Sequence, residues 1–299
     1  MNIEIRDDTF KKIVDPNVSI QQLATGFEFT EGPVWNPIEN ALIFSDMPGN
    51  IMRKWTVKNG VETFRQPSNM ANGNFFDSKG RLITCEHATS RVVRTELNGS
   101  ITILASHYGM KELNSPNDLI ISKNGLIYFT DPSFGRMEYY GVPREQELDF
   151  CGLYNIEPES KKITLLSDDF IQPNGLCFSL DEKKLFVNDS AREHIRSFIV
   201  SDDGSLSEGK VWTTVFGEGK GVPDGMKIDS LGNICTTGPG GIHYFDPSGK
   251  SIGVIKIPES VSNFTWGDED MQTMYTVSYT HLRAHETDSY LVCRLLLEK

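Results

Sequence analysis

The sequence predicts an all-β fold, a six-bladed β-propeller, on three observations. A short motif recurs six times, each time placing a carboxylate or amide residue at the head of an apolar run: Glu31-Gly32, Asn72-Gly73, Asn117-Asp118, Asn174-Gly175, Asp224-Gly225 and Asn263-Phe264. After each, the chain crosses a turn and enters a second apolar run, which ends 14 or 15 residues downstream at Asp46, Glu86, Asp131, Asp189, Gly238 and Ser278. The instances are spaced by roughly 40 to 55 residues with several short strands per unit, the signature of radially packed blades that hide most sheet edges. In such a ring the equivalent residues of every blade converge near one axis. The oxygen-bearing heads of the six motifs are therefore expected to meet in one pocket.

Each blade can be followed in order. Blade one opens with EGPVWNPIENALIFSD and continues through IMRKWTV and GVETF; blade two repeats the plan in NGNFFDSKGRLITCEH, RVVRTEL and SITILA. These are short runs rich in apolar and β-branched residues with turn signals between them. Blade three begins at PNDLIISKNGLIYFTD, but its next strand, CGLYNIE, is delayed by PSFGRMEYYGVPREQELDF, an aromatic-bearing insertion beside the pocket end of the strand and a candidate lid, with a packed surface loop as the alternative. Blade four runs from PNGLCFSLDEKKLFVND through HIRSFIV, and blade five from PDGMKIDSLGNICTTG through GIHYFD and SIGVIKI. The turns LDEKK, SKNG, DSKG and DSLG place Gly, Asn and Asp where a hairpin needs a positive φ or a local side-chain hydrogen bond.

Blade six starts in SNFTWGDEDMQTMYTVSY, after which the pattern breaks. The segment THLRAHETDSYLVCRLLLEK does not offer the next alternating strand and resembles translated sequencing-adapter read-through. Residues 1–279 are thus expected to form one propeller domain, and residues 280–299 a non-native tail that leaves the last blade incomplete, with no role for His281, His285 or Cys293. A C-terminal helix is the alternative. An N-terminal strand, Ile3–Ile5 or Ile20–Leu23, is expected to pair into the last blade and close the ring.

Bulk properties narrow the function. The chain has 299 residues, 38% of them hydrophobic and 23% charged, and none of its apolar runs approaches the roughly 20 residues that span a bilayer, so no membrane partner is expected. A formal charge of -12 opposes nucleic-acid binding, which rests on basic surfaces, and suits cations or neutral small molecules. The opening MNIEIRDDTFKKIV lacks the basic-then-apolar pattern of a secretory signal, which predicts a cytoplasmic protein. The five cysteines, Cys85, Cys151, Cys177, Cys235 and Cys293, are dispersed and form no C-x-x-C pair, so buried free thiols are expected. Oligomeric state is left unspecified.

A hydrophobic core does not need Glu, Asn or Asp at the head of an inner strand, and burying such a group without a partner costs several kcal/mol. Taken singly, Asx-Gly and Pro-Asn-Gly are common turns; six aligned instances call for another reason. Glu31, Asn117, Asn174 and Asp224 offer only oxygen, a donor set that suits Ca²⁺ or Mg²⁺, with Mn²⁺ possible, over a soft metal, and their two carboxylates balance a divalent charge. Asp46, Asp131 and Asp189, at strand ends, are read as structural caps.

The runs TEGPVW, SPNDLIISKNGLIYFTDPSFG, QPNGLCFSLDEKKLFVND and VPDGMKID, within a span from about Ala24 to Ser278, resemble the gluconolactonase and regucalcin (senescence marker protein) family of six-bladed propellers, in its bacterial gluconolactonase-like branch. The resemblance places metal ligands on Glu31, Asn174 and Asp224, with Asn117 as fourth ligand or substrate contact. It implies one divalent cation, Ca²⁺ first with Mg²⁺, Mn²⁺ or Zn²⁺ as alternatives, and a sugar lactone as small-molecule substrate. A cation would polarise the lactone carbonyl while a water attacks, with Asp224 as ligand and general base and Asn117 in the catalytic set. Asn72, His87, His107 and Tyr108 are substrate-binding candidates at the pocket mouth. The competing readings are a promiscuous esterase or phosphotriesterase on the same metal, and a non-catalytic calcium-binding propeller.

Overall fold

The structure, a computed structural model, describes residues 3–15, 20–279 and 292–296. It is an all-β propeller. Among the described residues no helix is long and apolar enough to cross a membrane. Four sheets are built in the same way, each from four consecutive antiparallel strands. The first contains Thr30–Asn36, Ala41–Asp46, Ile51–Thr56 and Gly60–Arg65; the second Ala71–Phe76, Leu82–Glu86, Arg91–Thr95 and Ile101–Ala105. The third contains Leu119–Ile121, Ile127–Asp131, Cys151–Glu157 and Lys162–Phe170, and the fourth Pro173–Phe178, Lys184–Asp189, His194–Val200 and Leu206–Thr214. The fifth follows the same plan in Met226–Ile228, Ile234–Gly238, Gly241–Phe245 and Ser251–Lys256, and adds Ile3–Ile5 outside the last of these.

A further sheet departs from that plan. It joins the consecutive strands Ser260–Gly267 and Thr273–Tyr279 to Val292–Leu296 and then to Ile20–Ala24. The expectation of six equivalent blades is therefore corrected to five regular blades and one sheet assembled from both ends of the chain. One further expectation changes with it, and another is met. Val292–Leu296 pairs along Thr273–Tyr279, so the segment after Tyr279 does supply a strand, where neither a helix nor an unpaired tail had offered one. Of the two N-terminal candidates, Ile20–Ala24 enters this sheet, while Ile3–Ile5 pairs with the Ser251–Lys256 strand of the fifth. His281 and His285 lie outside the described residues.

The first strand of each sheet is innermost. Successive inner strands touch one another around the ring, from Thr30–Asn36 through each sheet in turn to Ser260–Gly267, which lies against Thr30–Asn36 again. The rest of each blade packs against its neighbour through apolar side chains. Between the first sheet and the composite one, Trp35 stacks on Tyr275 at 5.1 Å and Trp55 tilts over the same ring at 5.6 Å. Burying side chains of this size stabilises by about 2–3 kcal/mol each. Cys85, Cys151, Cys177 and Cys235 are buried free thiols, in keeping with their dispersal in the sequence.

The axis is tight, and this explains the glycine in four of the six motifs. Gly175 donates its N–H to the Asp224 carbonyl of the next inner strand at 3.0 Å, and a Cβ on Gly175 would lie 2.1 Å from that oxygen. At Gly32 the corresponding approach, to the Asn72 carbonyl, would be 1.9 Å, and its φ of +53° adds a second reason for glycine. Without side chains at these positions, adjacent inner strands come close enough to bond backbone to backbone.

Gly175→Ala is expected to destabilise the fold by about 2–3 kcal/mol, because the obstructing atom is backbone and cannot rotate away. Denaturant unfolding measures this; an unchanged midpoint would contradict the close approach of the inner strands.

Candidate functional site

The motif residues head the inner strands at one end of the axis, where Glu31, Asn72, Asn117, Asn174 and Asp224 line one cavity of about 230 Å³. His87 lines it too, together with Phe29, Met47, Phe134, Tyr140, Ser190 and Val222. Sequence reasoning had brought the four proposed ligands, Asn72 and His87 to one pocket, and the structure places them there. It does not bring His107 or Tyr108. These belong to a two-stranded hairpin, His107–Tyr108 with Lys111–Glu112, where His107 is exposed and bonds Ser106 and Tyr108 packs on Tyr154 at 5.4 Å. The hairpin ends before the chain turns in to Asn117, so nearness in sequence did not become nearness to the cavity.

Glu31 is 3% exposed. Its Oε2 accepts from the Gly32 N–H at 2.6 Å and from Asn263 Nδ2 at 3.0 Å, while Oε1 is buried without a protein partner. Burial, with the nearby Asp118 charge adding to it, pushes the Glu31 carboxyl up to about 7. Asp224 is raised well above the usual carboxylate range by burial, then by Glu31 and Asp118. Asn174 donates to Ser190 Oγ at 3.2 Å and to the Asp224 carboxylate, leaving its amide oxygen for a ligand. Ser190 in turn donates to the Pro223 carbonyl at 2.6 Å, which fixes that corner of the pocket.

A layer beneath these residues escaped the sequence reading. Asp118 and Asn263 belong to the two motifs that lack glycine at the second position or carry no assigned role, and a search for departures from the repeat would have singled them out. Asp118 accepts from the Leu119 N–H at 2.9 Å and from Asn263 Nδ2 at 3.5 Å; Lys227 Nζ lies 3.9 Å from Asp118 Oδ2 and donates to Asn263 Oδ1 at 3.2 Å. The ammonium thus offsets part of the negative charge at the axis, and Asn263 links it to Glu31.

The strand-end aspartates cap, as expected. Asp131 accepts the Asn114 and Ser115 N–H groups at 2.8 and 2.7 Å, Asp189 those of Ile171 and Gln172 at 2.9 and 3.1 Å, and Asp46 that of Glu28 at 3.0 Å. Each holds the loop leading into its blade's inner strand, and so aims the motif residue that follows.

The insertion in the third sheet roofs the cavity through Phe134 and Tyr140. It is tied down on several sides. Arg136 donates to the Asn114 carbonyl at 2.9 Å and pairs with Glu112 at 2.8 Å, Arg144 bonds the His87 carbonyl at 3.2 Å and Ser90 Oγ, and the Tyr139 hydroxyl reaches the Glu28 carbonyl at 3.0 Å. Tyr140 meets Phe29 edge-on at 5.6 Å. His87 Nδ1 lies 2.8 Å from the Tyr140 carbonyl and Nε2 3.0 Å from Asn72 Nδ2. Burial pushes the His87 imidazole down to about 4.

Among the described residues no group of three or more His, Cys, Asp or Glu side chains is placed to hold a metal. The expected set has two carboxylates, Glu31 and Asp224, and two amides, Asn117 and Asn174. The buried partnerless oxygen of Glu31, the raised carboxyls of Glu31 and Asp224 and an all-oxygen donor set do fit a hard divalent cation.

Fold and pocket together define a β-propeller with carboxylates and amides gathered at one end of its axis. The chain belongs to the family described as SMP-30/Gluconolactonase/LRE-like region, which it matches over residues 29–280. It is 32% identical to the gluconolactonase of Zymomonas mobilis subsp. mobilis over 294 residues, covering 91% of this chain and 82% of that one. A solved gluconolactonase from Xanthomonas campestris superimposes with a TM-score of 0.87 at 28% identity, over 99% of this chain and 94% of that one. The regucalcin structure from Agrobacterium tumefaciens, a calcium-binding protein, shares the fold with a TM-score of 0.76 at 18% identity, over 93% of this chain and 95% of that one.

His87 yields a pH prediction. Its native pKa, about 4, lies below its unfolded value near 6.5. The unfolded chain therefore takes up a proton between these values that the native state refuses, so stability is full above about pH 6.5 and is lost as pH falls toward 4. Relative to His87→Gln, the wild type should lose about 2–3 kcal/mol more between pH 7.5 and pH 4.5. Equal losses in denaturant titrations of the two proteins would contradict a neutral, buried His87.

Proposed function

We propose that this protein is a lactone hydrolase of the gluconolactonase type that works with one divalent cation, Ca²⁺ first, held by Glu31, Asn117, Asn174 and Asp224. The observation that carries the reading is the pair of carboxylates with raised proton affinity, buried Glu31 and half-buried Asp224, facing a cavity whose remaining polar wall is amide, hydroxyl and the His87 imidazole. The likeness to the Zymomonas gluconolactonase supplies the reaction class. The composite sheet is taken as the sixth blade, which brings Asn263 to the axis behind Glu31.

A bound cation would withdraw electrons from the lactone carbonyl and make a neighbouring water more acidic. The chain's own residues do the rest. Asp224, poorly solvated and held by Asn174, is the base positioned to take the proton of the attacking water. Asn117 and Asn174 add neutral donors, so the carbonyl-polarising charge is not cancelled by further carboxylates. Phe29, Met47, Phe134 and Tyr140 exclude bulk water from one side of the sugar, and Asn72 faces its hydroxyls. The small cavity suits a single sugar-lactone ring.

Asp224→Asn should lower kcat/KM for glucono-1,5-lactone by about a hundredfold or more, and chelator should do the same reversibly, with activity restored by Ca²⁺, Mg²⁺ or Mn²⁺. Full activity after either treatment would overturn the mechanism. Faster turnover of an aryl ester or an organophosphate than of any sugar lactone in a parallel panel would overturn the substrate assignment.

A further inference from the structure

Asn72 and His87 form a unit in which the two residues have different work. The Tyr140 carbonyl can only accept a hydrogen bond, so the His87 nitrogen 2.8 Å from it, Nδ1, carries the proton. The imidazole is buried and neutral, so Nε2 has a lone pair and no proton. An acceptor 3.0 Å from the Asn72 amide turns the NH₂ toward the ring, and the amide oxygen is left on the other side. That oxygen is buried and has no protein partner, on a residue that lines the cavity. The orientation of the amide therefore follows from a backbone carbonyl in the insertion, relayed through one imidazole.

We propose that Asn72 Oδ1 is the acceptor for a ring hydroxyl of the substrate, and that His87, held by the Tyr140 carbonyl, is the positioning residue that keeps this oxygen turned into the cavity. This rests on the lactonase reading and deepens it. A buried acceptor that is left unpaired by a ligand without a hydroxyl penalises that ligand, so Asn72 selects polyhydroxylated lactones over unsubstituted rings. The insertion then sets substrate choice through its backbone as well as through the side chains it places over the cavity. Residues with a different backbone course at Tyr140 would release the imidazole, and with it the amide.

Two measurements test this. Hydrolysis of glucono-1,5-lactone is compared with that of δ-valerolactone, which has the same ring and no hydroxyls. The wild type should favour the sugar lactone. Asn72→Leu and His87→Leu should each cut that preference about tenfold or more, chiefly through a raised KM for the sugar lactone, with δ-valerolactone turned over as well as before or better. His87→Gln, whose amide oxygen can still accept from Asn72, should keep most of the preference. In ¹⁵N spectra of the wild type at pH 7, independent of any activity, the His87 signals should show the proton on Nδ1. Equal loss on both lactones in the Leu variants, an unchanged ratio, or a proton on Nε2 would overturn the proposal. Wild-type protein that turns over neither lactone would overturn the lactonase reading, and the hydroxyl-acceptor role with it; turnover of both with an unchanged ratio in Asn72→Leu would overturn this proposal alone.

Discussion

Two carboxylates, Glu31 and Asp118, are buried near one axis with the half-buried Asp224 and the Lys227 ammonium beside them, and much of the molecule is arranged to make that tolerable. Gathering like charges away from water raises the preference of Glu31 and Asp224 for a proton. Hydrogen bonds from Gly32, Asn263, Leu119 and Asn174 offset part of the cost. A residue of negative charge remains, with a Glu31 oxygen that no protein group satisfies. A divalent cation at the cavity end is the economical complement, and it is also the group that would make the cavity reactive.

The convergence itself is a product of backbone geometry. Inner strands bond directly across blade boundaries, as from Gly73 to Asn117, from Gly175 to Asp224 and from Gly225 to Ser262. A side chain at Gly73, Gly175 or Gly225 would separate them, widen the axis and move the ligands apart. The cap aspartates act one step earlier, fixing the loops that deliver each strand. Stability and site geometry are thus two consequences of the same contacts, which is why a substitution such as Gly175→Ala touches both.

How much of this could be read from the sequence depended on range. The heads of the inner strands were legible because the repeat spaces them regularly, and the same spacing made Asp46, Asp131 and Asp189 recognisable as caps. Asp118 and Lys227 were not read as a pair, because they lie on different blades and only ring closure brings them together. Tyr140 was legible as part of an aromatic insertion, but its carbonyl's grip on His87 has no sequence signal at all, since any residue provides a carbonyl. His107 and Tyr108 misled for the opposite reason: they precede a motif closely, yet a tight hairpin holds them away from the cavity, His107 exposed and Tyr108 packed on Tyr154. The N-terminal strand that closes the last sheet was legible, but Val292–Leu296 was not, because it finds its partners only through its edges, Thr273–Tyr279 on one side and Ile20–Ala24 on the other, and does not show the alternation of an independent strand.

The central claim is that the axial carboxylates are completed by one hard cation. Calorimetric titration of chelator-stripped protein with Ca²⁺ tests it most directly. The account predicts a single site, with proton release on binding near pH 7 as the raised Glu31 and Asp224 carboxyls ionise, and loss of that site in Glu31→Gln. Absence of a saturable heat, or an undiminished site in Glu31→Gln, would contradict it.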